Sequence, residues 1–557
     1  MAVDKLNDTI VAMYRRRVAA DGDQPALHVK IGDQWVVYSW NQIATDARRM
    51  AAALASLGVK PGDRVIQVSE NRYEWIVLDL AIQIARGIDV AVHSTLTGPQ
   101  IAYQITNSGA KVVVVSGSEQ AQKLVRVAGE LASDIQYVSF DPCPEKIGEH
   151  AVRQLSEIEA TVTEADGKAL EQRALEETKP TDLATILYTS GTTGEPKGVM
   201  LTQRNLTSNC HAVLEAFSVE PGDRRLSWLP LSHSFARTSD YYMWVAGGGE
   251  LALAQSRETI IADCQALKPT HLNGVPYFFD KVHRYCKEQG LADKPGALQA
   301  LLGGRMKMCC GGGAALPDGV ADFFTKSGIL LVQGYGLTES SPVISTGTFE
   351  HHRLGTVGRP INGIEVKIAE DGEILTRGPH VMAGYWNLPE DTAATIQDGW
   401  LHTGDLGCLE DGFLRITGRK KEIIVTAGGK NIVPGYLEGL LTEDPLIAQA
   451  VIVGDAKNFL TALIVPNPDG LRAEIIRQQI PVFSPAEALA SPRVHEIYTE
   501  HIAARLADVS HAEQVRKFTL VPRGFTMETD EMTPTLKLRR NMVMKNFAAE
   551  IKAMYNE

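Results

Sequence analysis

Between Tyr188 and Gly198 the chain reads Tyr-Thr-Ser-Gly-Thr-Thr-Gly-Glu-Pro-Lys-Gly. This run follows an apolar, strand-like segment and precedes a helix that Thr202 can cap. Gly191 and Gly194 let the backbone turn its amides inward, and Thr189, Ser190, Thr192 and Thr193 add hydroxyl donors. Lys197 adds a positive charge, and the set suits a polyphosphate. It is not a Walker A loop, because Lys197 is followed by Gly198 and Val199 and not by Ser or Thr. A plain glycine-rich surface loop is the competing reading, and the length of the contiguous match weighs against it.

Four more groups have the right chemistry for a nucleotide. In Gln333-Gly-Tyr-Gly-Leu-Thr-Glu339, Tyr335 is expected in a glycine-permitted turn where its ring can stack on adenine. A core tyrosine is the alternative. Thr338 and Glu339 follow at once, and a carboxylate beside a triphosphate loop suits Mg²⁺, a hard cation that prefers oxygen. Asp405 follows Gly404 in an expected turn, where aspartate is most often a turn-former, yet its carboxylate can also accept both ribose hydroxyls. Arg419 opens the run Arg419-Lys420-Lys421, either a solvated basic face or a ligand contact at a domain border. Lys537 stands near Arg539, Arg540 and Lys545 in a stretch poor in acids. It is either a solvated helix start or a mobile ammonium able to bridge a carboxylate and a phosphate.

Together with Leu401-His-Thr-Gly-Asp405, Gly418-Arg-Lys-Lys-Glu-Ile-Ile-Val425 and Thr533-Pro-Thr-Leu-Lys-Leu-Arg-Arg540, these stretches keep one order along the chain. In that order the sequence resembles the adenylate-forming superfamily of acyl-CoA synthetases, luciferases and peptide-synthetase adenylation domains, over essentially its whole length. The resemblance implies that a carboxylate attacks the α-phosphate of MgATP, giving acyl-adenylate and pyrophosphate, and that the CoA thiol then displaces AMP. ATP and CoA are the implied co-substrates and Mg²⁺ the implied metal. Thr189, Ser190, Gly191, Thr192, Thr193 and Lys197 are implied at the phosphates, with Thr338 beside them and Glu339 on magnesium. Gly312, Gly313 and Ala314 would line the nucleotide, and Gln333 would meet the adenine amino edge. Gly334, Tyr335 and Gly336 would surround the base, and Asp405 and Arg419 would hold the ribose. Lys537 takes the place of the catalytic lysine.

The same resemblance implies a small C-terminal domain that rotates between the two steps about Lys421. Thr426-Ala-Gly-Gly-Lys-Asn431 would then face the site, with Gly428 and Gly429 leaving space for the pantetheine arm and Lys430 meeting phosphate. The Thr-Pro-Thr-Leu-Lys form, the phrase Gly-Gly-Lys-Asn-Ile and the stretch from Leu229 to Arg237 are similar to long-chain fatty acyl-CoA synthetases. Acetate-type members carry Trp where this chain has Gly336, so Gly336 implies an open acyl-pocket floor. His233 would gate that pocket, or simply pack. The expected function is a long-chain fatty acid–CoA ligase. A fatty acyl-AMP ligase, a medium-chain or aryl acid ligase, and a non-catalytic nucleotide-binding relative are the alternatives.

Other chemistries find no support. There is no G-x-S-x-G elbow and no H-E-x-x-H pair, and His351-His352 has no companion ligands nearby. The net charge of −12 argues against a broad nucleic-acid or anionic-membrane footprint. The seven cysteines form no C-x-x-C pair, and Cys309-Cys310 sits in an expected buried strand, so a reducing cytoplasm is expected. The longest apolar region, residues 76–92, is interrupted by Asp79, Gln83, Arg86 and Asp89 and cannot span a bilayer. A cytoplasmic protein is expected, with peripheral membrane contact left open and the oligomeric state undetermined.

The elements that must position these groups are legible as patterns. Residues 29–38 read as a hairpin turning at Gly32-Asp33. Ser39 and Gln42 form a capping box for a helix with Trp40, Ile43, Ala47, Met50 and Leu54 on one face, which stops at Gly58. Apolar runs at 112–115, 184–188, 226–229, 251–254, 306–310 and 329–332 are apolar on both faces, as in parallel sheets covered by helices. The fold class expected is a large α/β body with mostly parallel sheets and a distorted β-barrel-like part at about 345–418. A small α+β domain at 419–557 follows a hinge at 418–421, with strands at 448–453, 460–465 and 517–521 and helices at 494–506 and 538–554.

Overall fold

The structure is a computed structural model that describes residues 6–144, 146–189, 195–526, 528–533 and 538–555. It separates into two compact units. The first comprises Met1–Lys367, Leu375–His402 and Asp411–Leu414; the second comprises Ile368–Ile374, Thr403–Glu410 and Arg415–Glu557.

Two nine-stranded sheets among the described residues build the first unit, each parallel at its centre. In one, Leu330–Gly336, Met308–Gly311, His271–Gly274, Arg224–Ser227, Glu250–Leu253 and Pro25–Ile31 run parallel in that order. In the other, Leu183–Thr189, Ile88–His93, Arg64–Ser69, Val112–Val115 and Gln136–Ser139 do the same. Val112, Val113, Val114 and Val115 are all buried, as apolarity on both faces requires when helices cover both sides of a sheet. The helix Trp40–Ser56 carries the Ser39–Gln42 capping box and packs Trp40, Ile43, Ala47, Met50 and Leu54 into the main core. Gly58 follows with φ +85°, the left-handed turn that ends the helix.

In the strand-rich segment two Asp-Gly pairs form the turns. Asp398 and Gly399 have φ of +51° and +77°, and Asp411 and Gly412 have +53° and +80°. Two consecutive positive values match the twist of the hairpin strands they join. The cut between the two units passes through the strands Glu373–Arg377, Trp400–Glu410 and Phe413–Arg419.

In the second unit, Ile447–Val453 and Leu460–Pro466 pair antiparallel, and Val515–Leu520 adds in parallel. Leu437, Leu441, Val494, Ile497 and Tyr498 pack in one core cluster of this unit, and Val543, Phe547, Ile551 and Met554 pack in another. The helix expected at 538–554 is two helices, Arg540–Asn546 and Ala548–Tyr555. Phe547 interrupts them: its ring packs edge-on against Phe525 at 5.7 Å, with the Arg523 guanidinium 5.1 Å from its centroid. Among the described residues no helix is long and apolar enough to cross a membrane.

Candidate active site

The glycine-rich run is the loop of a hairpin. Leu183–Thr189 leads in and Lys197–Thr202 leads out, with Lys197 opposite Thr189 and Gly198 opposite Tyr188. Ser190, Gly191, Thr192 and Thr193 lie outside the described residues. The helix that follows, Gln203–Ala216, is capped by Thr202 as expected, but a whole strand separates it from the loop. The stem is held from the side by the helix Gly98–Ser108. Tyr103 Oη donates to the Pro196 carbonyl at 3.2 Å, and Tyr188 Oη donates to Asn107 Oδ1 at 2.7 Å.

At the C-terminal ends of neighbouring parallel strands lie the other nucleotide candidates, the usual place for ligands in α/β sheets. Met308–Gly311 runs into Gly312, Gly313 and Ala314, and Leu330–Gly336 contains Gln333, Gly334, Tyr335 and Gly336. Tyr335 is thus on a strand, opposite Ser345, and not in a turn; the ladder to Val343–Thr346 overrides the local glycine signal. Gln333 ties the two strand ends together. Its Oε1 accepts from Leu316 N at 3.2 Å and its Nε2 donates to the Ala314 carbonyl at 3.0 Å. One N–H and one lone pair of that amide remain for a ligand. Gly313 has φ +82°, and a Cβ at Gly312 would stand 2.9 Å from the Phe235 ring. A Cβ at Gly336 would lie 1.7 Å from the Pro342 carbonyl oxygen, so the backbone itself demands glycine there.

Thr338 and Glu339 follow in a single 3₁₀ turn, Thr338–Ser340. Ser234 Oγ lies 3.1 Å from Thr338 Oγ1. Glu339 Oε1 accepts a hydrogen bond from Tyr385 Oη at 2.8 Å. Burial, with the Glu339 charge second, pushes the Tyr385 hydroxyl well above its ordinary pKa, so it stays a donor. Lys197 forms an ion pair with Asp391, and its Nζ is 5.1 Å from the Tyr385 ring centroid. Neither Tyr385 nor Asp391 belongs to a motif that the sequence singles out. Among the described residues no group of three or more acidic, histidine or cysteine side chains forms a ready-made metal cage. One carboxylate, Glu339, linked through Tyr385 to Lys197, nevertheless fits Mg²⁺, which binds through one or two carboxylates together with substrate phosphates and water.

His233 caps the short turn Ser234–Ala236, its Nδ1 accepting from Phe235 N at 3.2 Å. Its ring stacks on His93 at 6.2 Å, and His93 Nδ1 shares a hydrogen bond of 2.8 Å with Ser232 Oγ. Burial holds the His93 imidazole down at about 4, so it is neutral at physiological pH. No sequence pattern pointed to His93.

In the second unit, Asp405 is inside the strand Trp400–Glu410 and not in a turn, because Gly404, at φ +71°, continues the strand in spite of its left-handed backbone. Asp405 is 8% exposed, and Arg419 Nε donates to its Oδ1 at 2.9 Å. Lys420 pairs with Asp371 and Glu373, at 2.6 and 2.9 Å. Lys421 is exposed on the 3₁₀ turn Lys420–Glu422. Gly428, Gly429 and Lys430 form the exposed tip of a small hairpin, Ile424–Val425 with Asn431–Ile432. Thr426 braces it: Gly429 N donates to its carbonyl at 2.8 Å, and Lys430 N to its Oγ1 at 3.1 Å. Lys537 lies outside the described residues. Its flanks are pinned by the bridge between Met532 and Leu538 and by Arg539 N donating to the Glu531 carbonyl at 2.7 Å.

Solved structures share this fold. The crystal structure of the anthranilate CoA ligase AuaEII in complex with anthranoyl-AMP matches at a TM-score of 0.78 and 20% identity, over 98% of both chains. The adenylation domain of a carboxylate reductase from Mycobacterium chelonae matches at 0.80 and 21%, over 99% of this chain and 91% of that one. Residues 14–386 match the family described as AMP-binding enzyme, and residues 421–557 match the AMP-binding enzyme C-terminal domain. The chain belongs to that family. Among its relatives, the long-chain-fatty-acid–CoA ligase FadD15 of Mycobacterium tuberculosis is 34% identical over 99% of this chain and 98% of its own length. The human long-chain-fatty-acid–CoA ligase ACSBG2 is 28% identical over 98% of this chain and 92% of its own.

Proposed function

We propose that this protein is an AMP-forming acyl-CoA ligase acting on a long-chain fatty acid. The observation that carries the reading is the pair of glycine-rich strand ends of Met308–Gly311 and Leu330–Gly336, tied together by Gln333 and followed by Thr338 and Glu339. Full-length likeness to ligases named for long-chain acids supports the substrate class.

In the first half-reaction an acid carboxylate oxygen attacks the α-phosphorus of ATP and pyrophosphate leaves. Lys197 and the hydroxyls of the hairpin loop hold the triphosphate, Tyr335 stacks on adenine, and Asp405 with Arg419 grips the ribose. Lys537 bridges the acid oxygen and the α-phosphate, where negative charge concentrates in the transition state. Glu339 is the residue that would hold Mg²⁺ there, and the bound ion would supply positive charge beside the leaving pyrophosphate. In the second half-reaction the CoA sulfur, after losing its proton, attacks the acyl carbonyl and AMP leaves. The tip at Gly428, Gly429 and Lys430 offers the pantetheine arm a path without side chains, and Lys421 is the pivot between steps. His233 and the neutral His93 against it are assigned to the acyl pocket; Gly336 does not open a pocket floor as expected, because the Pro342 carbonyl already fills the space of any side chain there.

Purified protein given ATP, Mg²⁺, CoA and acids of graded length should form thioester with a preference for long chains. Pyrophosphate release with acyl-AMP accumulating and no thioester in the presence of CoA would replace this reading with a fatty acyl-AMP ligase, and absence of pyrophosphate release with every acid would remove the catalytic reading altogether.

A further inference from the structure

Two side chains join the lysine of the phosphate hairpin to the glutamate assigned to magnesium. Asp391 pairs with Lys197, and Tyr385 places its ring against Lys197 and its hydroxyl on Glu339. Both sit on one short segment, and that segment is fixed to the hairpin. The strand Gly384–Tyr385 pairs with Lys197–Thr202, Tyr385 opposite Val199, and Trp386 N donates to the Gly198 carbonyl at 2.7 Å. The helix Pro389–Thr395, which carries Asp391, is tied back by Thr392 Oγ1, which accepts from Tyr385 N at 2.8 Å. Tyr385 is 8% exposed, whereas the side chains of Lys197 and Asp391 are 35% and 40% exposed. The ring is a fixed wall, and the ion pair in front of it is open to a ligand.

We propose that Tyr385 and Asp391 are positioning residues of the nucleotide site, each governing a different charge. The Tyr385 hydroxyl occupies Oε1 of Glu339 and so turns Oε2 toward the cation. Asp391 holds Lys197 against the ring until a triphosphate, with its greater charge, takes the ammonium over. Asp391 therefore competes with ATP, while Tyr385 assists the metal. The inference rests on the roles of Lys197 and Glu339 given above.

Calorimetric titration of the full chain with ATP separates the two effects, first in EDTA and then across a series of Mg²⁺ concentrations, with AMP as the control. Tyr385→Phe keeps the ring and loses one hydrogen bond to a carboxylate. It should raise the Mg²⁺ needed for half-maximal ATP binding by about tenfold and leave metal-free affinity within about twofold. Asp391→Asn should tighten metal-free ATP binding by about two- to fivefold, the scale of a half-exposed ion pair, and leave AMP unchanged. Both variants should melt within about 3 °C of the wild type. An unchanged Mg²⁺ requirement in Tyr385→Phe, weaker ATP binding in Asp391→Asn, an equal shift for AMP, or loss of fold in either would overturn the proposal. If the wild-type chain binds no ATP, the nucleotide reading itself falls; if it binds ATP and the variants do not separate, this inference alone falls.

Discussion

The site candidates in the two units are held in opposite ways. In the first unit, charged and polar groups far apart in sequence are locked to one another: Lys197 to Asp391, Tyr385 to Glu339, Gln333 to the loop of Ala314 and Leu316. In the second, the Gly428–Gly429 tip is shaped by bonds to Thr426 from three and four residues away and by Ala427 N donating to the Lys457 carbonyl at 2.9 Å, and a Cβ at Gly429 would meet nothing within 4 Å. The first arrangement suits groups that must present fixed charges to a bound nucleotide. The second suits a loop carried in one piece with its unit, because the partners that shape it, Thr426 and Lys457, belong to that same unit.

The comparison breaks most sharply at Lys537. Lys537→Ala should slow formation of acyl-AMP by about 10² to 10⁴, the usual worth of one charge contact at a transition state, while supplied acyl-AMP is still converted to acyl-CoA. Equal loss in both half-reactions, measured separately, would mean that Lys537 serves a shared function. Next comes Gly336, in the locked region. With the Pro342 carbonyl 1.7 Å from any Cβ, Gly336→Ala should cost about 3 kcal/mol and lower both melting temperature and ATP affinity. A stable variant that binds ATP normally would show that this strand end is pliable. Enlarging this residue to Trp is thus a test of backbone tolerance before it is one of acyl length.

The self-contained tip should respond selectively. Gly428 needs no left-handed backbone, and its nearest neighbour to a Cβ is Thr426 Oγ1 at 4.0 Å, so Gly428→Leu should fold normally. Pyrophosphate release in a first turnover should persist, and thioester formation should fall by about tenfold or more as the CoA path fills, one transition-state contact's worth. Gly429, at φ +74°, is the poorer probe, since any side chain there adds about 1 kcal/mol of strain. Parallel loss of both half-reactions in Gly428→Leu would place the tip in adenylation.

The smallest effect concerns the anchoring of the Lys537 flank. Glu531 is fully buried, and burial alone would raise its pKa; hydrogen bonds from Arg523, then Asn546 and Thr529, outweigh that and bring it down to about 2. The carboxylate is therefore held more tightly in the folded chain than in the unfolded one. Its contribution is present above about pH 4.3 and is lost as the pH falls toward 2. Allowing for the water around half-exposed Arg523, it amounts to about 1–2 kcal/mol. Glu531→Gln should flatten the acid limb of a stability curve measured by urea unfolding between pH 5 and about 2.5, a window set by the linkage of this one group. An unchanged acid limb would show that the pair does not anchor the flank.

What the amino-acid order alone determined is whatever its chemistry decides within a few residues. The Ser39–Gln42 capping box, the Thr202 cap, the buried valine strands and the contiguous motifs of the family all read directly, because the partners are neighbours or the motif is its own context. Local signals misled where a ladder outweighed them: Tyr335 and Asp405 are flanked by glycines that suggest turns, yet both are paired into strands. Tertiary structure alone decided that Tyr385 meets Glu339, that Asp391 meets Lys197, that His93 lies against His233, and that Gly336 is required by Pro342. The reason is physical. A hydrogen bond or an ion pair acts over a few ångströms, and only the pairing order of the sheets brings residues from distant parts of the chain within that reach.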